Sequence, residues 1–443
     1  MKKLTIIALA CSISGLLFGF DAGVISGVLV YLKNDFSLNS YIEGLIVGAL
    51  PLGALCSALL AGRIMDYLGR KIILFFTASL YLIGALLCTF AIDFSFIIIG
   101  RILIGLGVGL SSTVTPLYLS ELSPKKIRGK IVTLYLISVN TGVFVSYLSN
   151  YFMSHFESWR LMFFVSVLPA IILLACLSIL PESPRWLYMK QKVKEAEDAI
   201  KKLYGTLANT EDLFDIQSNT KEKSIKLKQM SNYHKKLLLI GFGIGIFTQA
   251  VGINAIIYYA PTILMSSGAM SSSNAIFASL LIGFTVMFAA ILASFKLDQF
   301  GRRRLLLNGL MGIILCLFLM TLAYHNISSQ VMLGWVILSL SVIYVFFQGI
   351  SVGPACFLLP AEIFPISIRG IGMSISVAAN WLTNILVSFF FPTMLLKIGA
   401  GNSFLIFGLI SCIGWAFFYF YIKETKHASL ESISSPLGEF SAS

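Results

Sequence analysis

Two side chains in this sequence could exchange a proton away from bulk water. Asp21 lies in the apolar run 5–31 and Arg101 in the run 96–120. A carboxylate near the middle of a membrane-spanning run costs about 2.5–3.5 kcal/mol to insert and is by default a functional candidate. Asp21 reads as the one acid well inside any such run, and Arg101 as the one base deep in one, so the chain offers each only the other as a partner. Burial favours the neutral acid, whereas a nearby guanidinium favours the carboxylate. A motion that changes their separation would change proton affinity; the alternative is a static structural ion pair.

The elements that must position this pair follow from composition. The 443 residues are 57% hydrophobic and 12% charged, with a mean hydropathy of +0.89. Average soluble chains carry about 25% charge, so an integral membrane protein is expected and a disordered chain, a disulfide scaffold or a cytosolic enzyme is excluded. Runs of about 20 apolar residues suffice to cross a bilayer. They fall at 5–31, 42–62, 72–92, 96–120, 129–152 and 161–180, then at 237–264, 274–296, 304–324, 331–360, 369–396 and 402–422. The expected architecture is all-α, with twelve transmembrane helices in two six-helix bundles, 1–180 and 237–422. Residues 181–236 form an intracellular helical linker and 423–443 a cytoplasmic tail. The run after Met1-Lys2-Lys3 imitates a signal sequence but continues to Tyr31, too long for a signal core, so a retained first span is expected.

Charge placement orients the spans. With the N-terminus inside, the outward loops carry only Lys33, Arg160 and Lys397, while 28 of the 32 basic residues lie at inner ends, loops or tails, 12 of them in 181–236. This is the positive-inside pattern. The formal charge of +12 therefore reflects topology and attraction to anionic membrane lipid rather than nucleic-acid binding. The seven cysteines fall inside spans and read as small apolar thiols. The four histidines lie in loops, ends or the tail, and no metal site is expected.

The two halves repeat each other. Glu121-Leu-Ser-Pro124-Lys-Lys-Ile-Arg128-Gly129 and Glu362-Ile-Phe-Pro365-Ile-Ser-Ile-Arg369-Gly370 both read E-x-x-P-x-x-x-R-G, at the inner ends of the fourth and tenth spans. Asp66-Tyr-Leu-Gly69-Arg70-Lys71 and Asp298-Gln-Phe-Gly301-Arg302-Arg303 both read D-x-x-G-R-[KR]. The glycine permits a tight turn, and the Asp can accept from backbone N–H groups at a helix start. The charges suit an inner-face network of charge-assisted hydrogen bonds, a latch joining the bundles when the outer side is open. The alternative is a set of solvated loop charges worth about 0–1 kcal/mol per pair.

Several further segments carry a resemblance. Phe20-Asp21-Ala-Gly23-Val-Ile-Ser26-Gly27, Gly100-Arg101, Pro116-x-Tyr118-x-Ser120-Glu121, Pro181-Glu182-Ser183-Pro184-Arg185-Trp186-Leu187, Gln249-x-x-Gly252-Ile253-Asn254-Ala-x-x-Tyr258-Tyr259 and Gly353-Pro354…Ala361-Glu362 resemble the sugar porters of the major facilitator superfamily. The resemblance runs from about residue 12 to 427. It implies alternating access rather than enzyme chemistry, with a sugar-sized solute between the bundles and no cofactor beyond a coupling proton. It also implies a monomer in a bacterial inner membrane with both termini cytoplasmic. The similarity is nearest to proton–sugar symporters of the xylose and galactose type, in which positions matching Asp21 and Arg101 pair and the Asp carries the proton. Facilitative glucose transporters commonly hold Asn at the Asp21 position. Glu182, Arg185 and Glu424 join the implied inner-face network with Asp66, Arg70, Glu121, Arg128, Asp298, Arg302, Glu362 and Arg369.

For the solute, a cavity needs convergent polar groups and an apolar wall. The candidates are Gln249, Asn254, Tyr258, Asn380, Trp381 and Asn384, with Phe18, Phe357 and Asn140 added by the resemblance. Asn254 and Tyr258, like Asn380 and Asn384, are i, i+4 and share a face. Gln249 and Asn254 are i, i+5, about 140° apart on a straight helix. Both can face one cavity only if the helix opens between them, at Gly252. Each amide could instead bond helices together, for about 0.6 kcal/mol. The chain departs from the family pattern at Thr248, where a second Gln is usual, at Leu136, where Gln is usual and Asn140 is the nearest amide, and at Phe357, where Trp is usual. Hexose, pentose and cyclic polyol all remain open, as do a facilitative uniporter and a non-transporting sugar sensor on the same fold.

Overall fold

The computed structural model describes residues 2–124, 127–204, 230–422 and 424, without the side chains of 2, 296–300, 357, 361, 366 and 367. In hydrocarbon a chain must satisfy its own backbone N–H and C=O groups, and every apolar run folds as helix. The first five are α1 (Lys2–Asp35), α2 (Ser40–Leu68), α3 (Arg70–Thr89), α4 (Phe94–Leu122) and α5 (Arg128–Ser154). The sixth is split at Ser166 into α6 (Trp159–Val165) and α7 (Val167–Cys176). Short helices α8 (Pro184–Met189) and α9 (Val193–Tyr204) follow in the polar stretch, whose remainder, 205–229, lies outside the described residues.

The second half is more broken. Its first span comprises α10 (Asn232–Ala250), α11 (Ile253–Tyr258) and α12 (Ala260–Met265). After α13 (Ser272–Phe300) and α14 (Arg302–Asn326) comes a span made of α15 (Gln330–Phe347), a π-helical turn Gln348–Val352 and α16 (Gly353–Ile363). The last two expected spans join as α17 (Ile366–Tyr421), kinked at Gly399 with φ 81°. The anticipated loop there is a tight bend, so α17 counts once among the 11 helices of the described residues that are long and apolar enough to cross a membrane, and its two arms either side of Gly399 are the eleventh and twelfth expected spans.

Within the first half α1 packs along α5, and α2 and α3 along α4; within the second, α17 packs against α10 and α14. The halves meet through α2 on α17 and α5 on α13. Tyr41 stacks edge-on against Phe389 at 5.2 Å, Tyr151 lies 5.0 Å from Phe277, and Tyr147 Oη donates to Ile257 O at 2.7 Å. These contacts lie away from the D-x-x-G-R ends of the helices. On the side opposite those ends, the halves are held together by these contacts.

Candidate functional site

Four helices converge on the acid–base pair. Asp21 from α1 and Arg101 from α4 are wholly buried, with Arg101 Nη1 donating to Asp21 Oδ2 at 3.2 Å. Arg101 Nε donates to Ile46 O of α2 at 2.7 Å, which anchors the cation on a helix other than the acid's. Tyr81 of α3 donates to Leu17 O, one turn before Asp21. Asp21 Oδ1 and Arg101 Nη2 have no hydrogen-bond partner among the described residues. The carboxylate is fully buried within the protein, and its counter-charge is held by a different helix. A second buried acid lies at a helix start, in the first turn of α2. Glu43 is 3% exposed and reaches Lys33 Nζ at 3.4 Å.

The amides assemble where α10 breaks. Gly252 takes φ 91°, in the left-handed region, and separates α10 from α11. The turn brings Asn254 Nδ2 to Gln249 Oε1 at 2.7 Å, and Gln249 Nε2 reaches Asn380 Oδ1 at 3.2 Å. Asn380 Nδ2 lies 3.1 Å from both Thr248 Oγ1 and Cys356 Sγ. A neighbouring pair is formed by Asn384, whose Nδ2 donates to Tyr258 Oη at 3.4 Å and whose Oδ1 accepts from Ser388 at 2.9 Å. Tyr258 is only 1% exposed and so backs the amides. Phe18 and Trp381 face each other across the two halves, with centroids 5.7 Å apart, supplying an aromatic wall. Asn140 is not seen to hydrogen-bond with this group among the described residues; its Nδ2 donates to Leu136 O of its own helix at 2.8 Å. The side chain of Phe357 lies outside the described residues. Thr248 and Cys356 were not foreseen as members; the only signal was that Thr248 stands where a second glutamine is usual.

The D-x-x-G-R motifs form a different network from the expected one. Gly69 (φ 96°) and Gly301 (φ 83°) begin α3 and α14. At each helix start a distant Glu accepts from the backbone. Glu182 Oε1 accepts from Arg70 N at 2.9 Å and its Oε2 from Lys71 N at 3.2 Å; Glu424 accepts from Arg302 N at 3.0 Å and Arg303 N at 3.2 Å. A Cβ on either glycine would sit 2.5 Å from Glu182 Oε2 or 2.7 Å from Glu424 Oε2, so glycine is what lets the carboxylate approach. Asp66 ends α2 and instead reaches Arg70 Nη2 at 3.4 Å from an exposed position. Burial pushes the Glu182 carboxyl above its usual range, against the pull of the Ser183, Arg70 and Lys71 backbone N–H groups.

The E-x-x-P glutamates pair with the D-x-x-G-R arginines rather than with the arginines of their own motif. Arg70 grips Glu121 through Nε and Nη2, both at 3.0 Å, and Arg302 Nε lies 3.3 Å from Glu362. Arg369 donates to Phe364 O at 3.1 Å, while Arg128 and Arg185 are exposed. The Asp298 side chain lies outside the described residues. Among the described residues each ion pair of this network joins segments of one half, and none bridges the halves. No group of three or more metal-ligating side chains is found among them.

Comparison with known proteins adds to this geometry. The chain matches the family described as Sugar (and other) transporter over residues 7–436. It is 34% identical to the glucose transporter GlcP of Staphylococcus epidermidis, over 97% of this chain and 96% of that protein. It is 32% identical to the arabinose-proton symporter of Escherichia coli K12, over 97% and 93% of the two chains. Its structure superposes with a TM-score of 0.84 on the xylose transporter XylE of E. coli in a partially occluded inward-open conformation, at 29% identity, covering 97% of this chain and 100% of the other.

Proposed function

Because this chain belongs to the sugar transporter family of the major facilitator superfamily, we propose that it is a proton-coupled symporter importing a monosaccharide or cyclic polyol, with Asp21 as the proton carrier and Arg101 as its counter-ion. The membrane-embedded sugar transporter is the premise; the coupling, direction and solute are the proposal. One observation carries it: the buried Asp21–Arg101 contact at 3.2 Å, with Asp21 Oδ1 left unpartnered. Arg101 is tied to α2 through Ile46 O, so a movement of α1 against α2 and α4 alters the charge facing Asp21 and hence its affinity for a proton.

The solute side of the proposal rests on the amides. All four amides are uncharged; after the bonds described above, Gln249, Asn254 and Asn384 keep both donor and acceptor valences, and Asn380 keeps an acceptor lone pair. That mixture suits hydroxyl groups, which donate and accept, better than an ion. Phe18 and Trp381 give a ring face something apolar to lie on. The D-x-x-G-R end is taken as cytoplasmic from the Lys/Arg bias. Closure of the other end by Tyr41, Tyr147 and Tyr151 supports an inward-facing shape, in which a latch between the halves on the cytoplasmic side would be open.

The test uses proteoliposomes with labelled D-xylose, L-arabinose, D-glucose, D-galactose and myo-inositol, with and without an imposed pH difference. At least one solute should accumulate against its gradient only when the outside is acid. Asp21→Asn should abolish that accumulation while solute exchange continues. An Asp21→Asn protein that still concentrates the solute removes Asp21 as carrier, and a wild type that only equilibrates it makes the chain a uniporter.

A further inference from the structure

The amides at the candidate solute site are wired in one sense, and two residues outside the expected set fix it. Thr248 Oγ1 lies 2.8 Å from Ile244 O and 3.1 Å from Gly245 O. A hydroxyl has one proton, and here it is given to the threonine's own helix. The Thr248 oxygen must then accept, so the Asn380 group 3.1 Å away is the NH2 and not the carbonyl. Its second N–H points to Cys356 Sγ, also at 3.1 Å. With the NH2 so oriented, Asn380 Oδ1 faces Gln249 Nε2 at 3.2 Å, which leaves Gln249 Oε1 to accept from Asn254 Nδ2 at 2.7 Å. The polarity set at Thr248 is thus transmitted along three amides.

We infer that Thr248 and Cys356 are specificity-determining residues: by occupying both N–H groups of Asn380 they make it acceptor-only, so the solute hydroxyl opposite it must act as a donor. This rests on the solute site proposed above and deepens it. A glutamine at 248 could present either end to Asn380, whereas a threonine bonded to its own backbone cannot. A thiol at 356 removes the last donor. Neither residue need touch the solute; each acts through Asn380.

Fluorinated solutes read this directly, because carbon-bound fluorine accepts a hydrogen bond weakly and cannot donate one. Competition for uptake is measured with the monodeoxy and monofluoro derivatives of D-xylose, D-glucose or myo-inositol, whichever the chain transports. At one ring position of the solute, fluorine should weaken wild-type competition about fivefold to tenfold, as deletion of the hydroxyl does. In Cys356→Ala a freed N–H meets the fluorine, and the penalty at that position alone should shrink about threefold or more. Cys356→Ser, which still accepts, should keep the wild-type pattern. A wild type tolerating fluorine at every position, or a Cys356→Ala profile parallel to wild type, overturns the inference. If no solute in the panel is transported, the proposed function falls, and the wiring is judged separately by thermal unfolding of Cys356→Ala, Asn380→Ala and the double variant. Non-additive shifts support the contact and additive shifts refute it.

Discussion

Replacing Gly252 by alanine puts the broken helix on trial. The residue sits at φ 91°, where a side chain costs about 1–2 kcal/mol. Its new Cβ would lie 2.9, 3.0 and 3.1 Å from Cγ, Cδ2 and Cδ1 of Phe407. That ring is 4% exposed and packs against Phe391 at 5.9 Å, so it has little room to yield, and overpacking of this kind costs about 1–3 kcal/mol. Together the substitution should cost about 2–5 kcal/mol if the break is retained. If the chain instead escapes by straightening α10 into α11, Gln249 and Asn254 separate by about 140° and their 2.7 Å bond is lost. The first outcome lowers the unfolding temperature of the purified protein, and the second weakens solute binding by about tenfold or more. Gly62→Ala, mid-helix in α2 with nothing within 4 Å of the new Cβ, is the control and should be neutral or stabilising by up to about 1 kcal/mol. A Gly252→Ala protein with wild-type unfolding temperature and wild-type solute affinity would refute the reasoning.

What the sequence disclosed, and what it withheld, follows from which groups carry the interaction. Asp21 and Arg101 were legible because charge is scarce in an apolar run, and scarcity names the partner. The opening at Gly252 was legible because 3.6 residues per turn cannot bring i and i+5 to one face. The ends of α3 and α14 were not. Their carboxylate partners, Glu182 and Glu424, bind backbone N–H groups of Arg70, Lys71, Arg302 and Arg303, and a backbone donor has no letter in the sequence. The motif Asp looked the better cap because it was nearer, yet Asp66 belongs to the preceding helix. Cys356 was hidden for a related reason: as a thiol in an apolar span it reads as packing, and only the position of Asn380 makes it an acceptor.

Two further expectations concern the motif end. Arg70 and Glu121 have side chains 3% exposed each, whereas Arg302 and Glu362 are 22% and 24% exposed. Arg70→Met should therefore destabilise the purified protein by about 3–5 kcal/mol, leaving Glu121 buried without a counter-charge and held only by Ser183 Oγ at 2.6 Å, and Arg302→Met by about 1 kcal/mol or less; equal losses in thermal unfolding would contradict the burial argument. Glu182 gives a pH signature. Burial raises its carboxyl above the ordinary value, so the folded protein holds this proton more tightly than the unfolded chain does. Its contribution to stability is then fullest below the ordinary Glu value of about 4.3 and is lost as pH rises through the raised value. The unfolding temperature of wild type relative to Glu182→Gln should accordingly fall as pH rises above the ordinary Glu value of about 4.3. A difference that grows with pH would mean instead that the N–H groups of Arg70 and Lys71 at the start of α3 outweigh burial, and that Glu182 is held as a carboxylate cap.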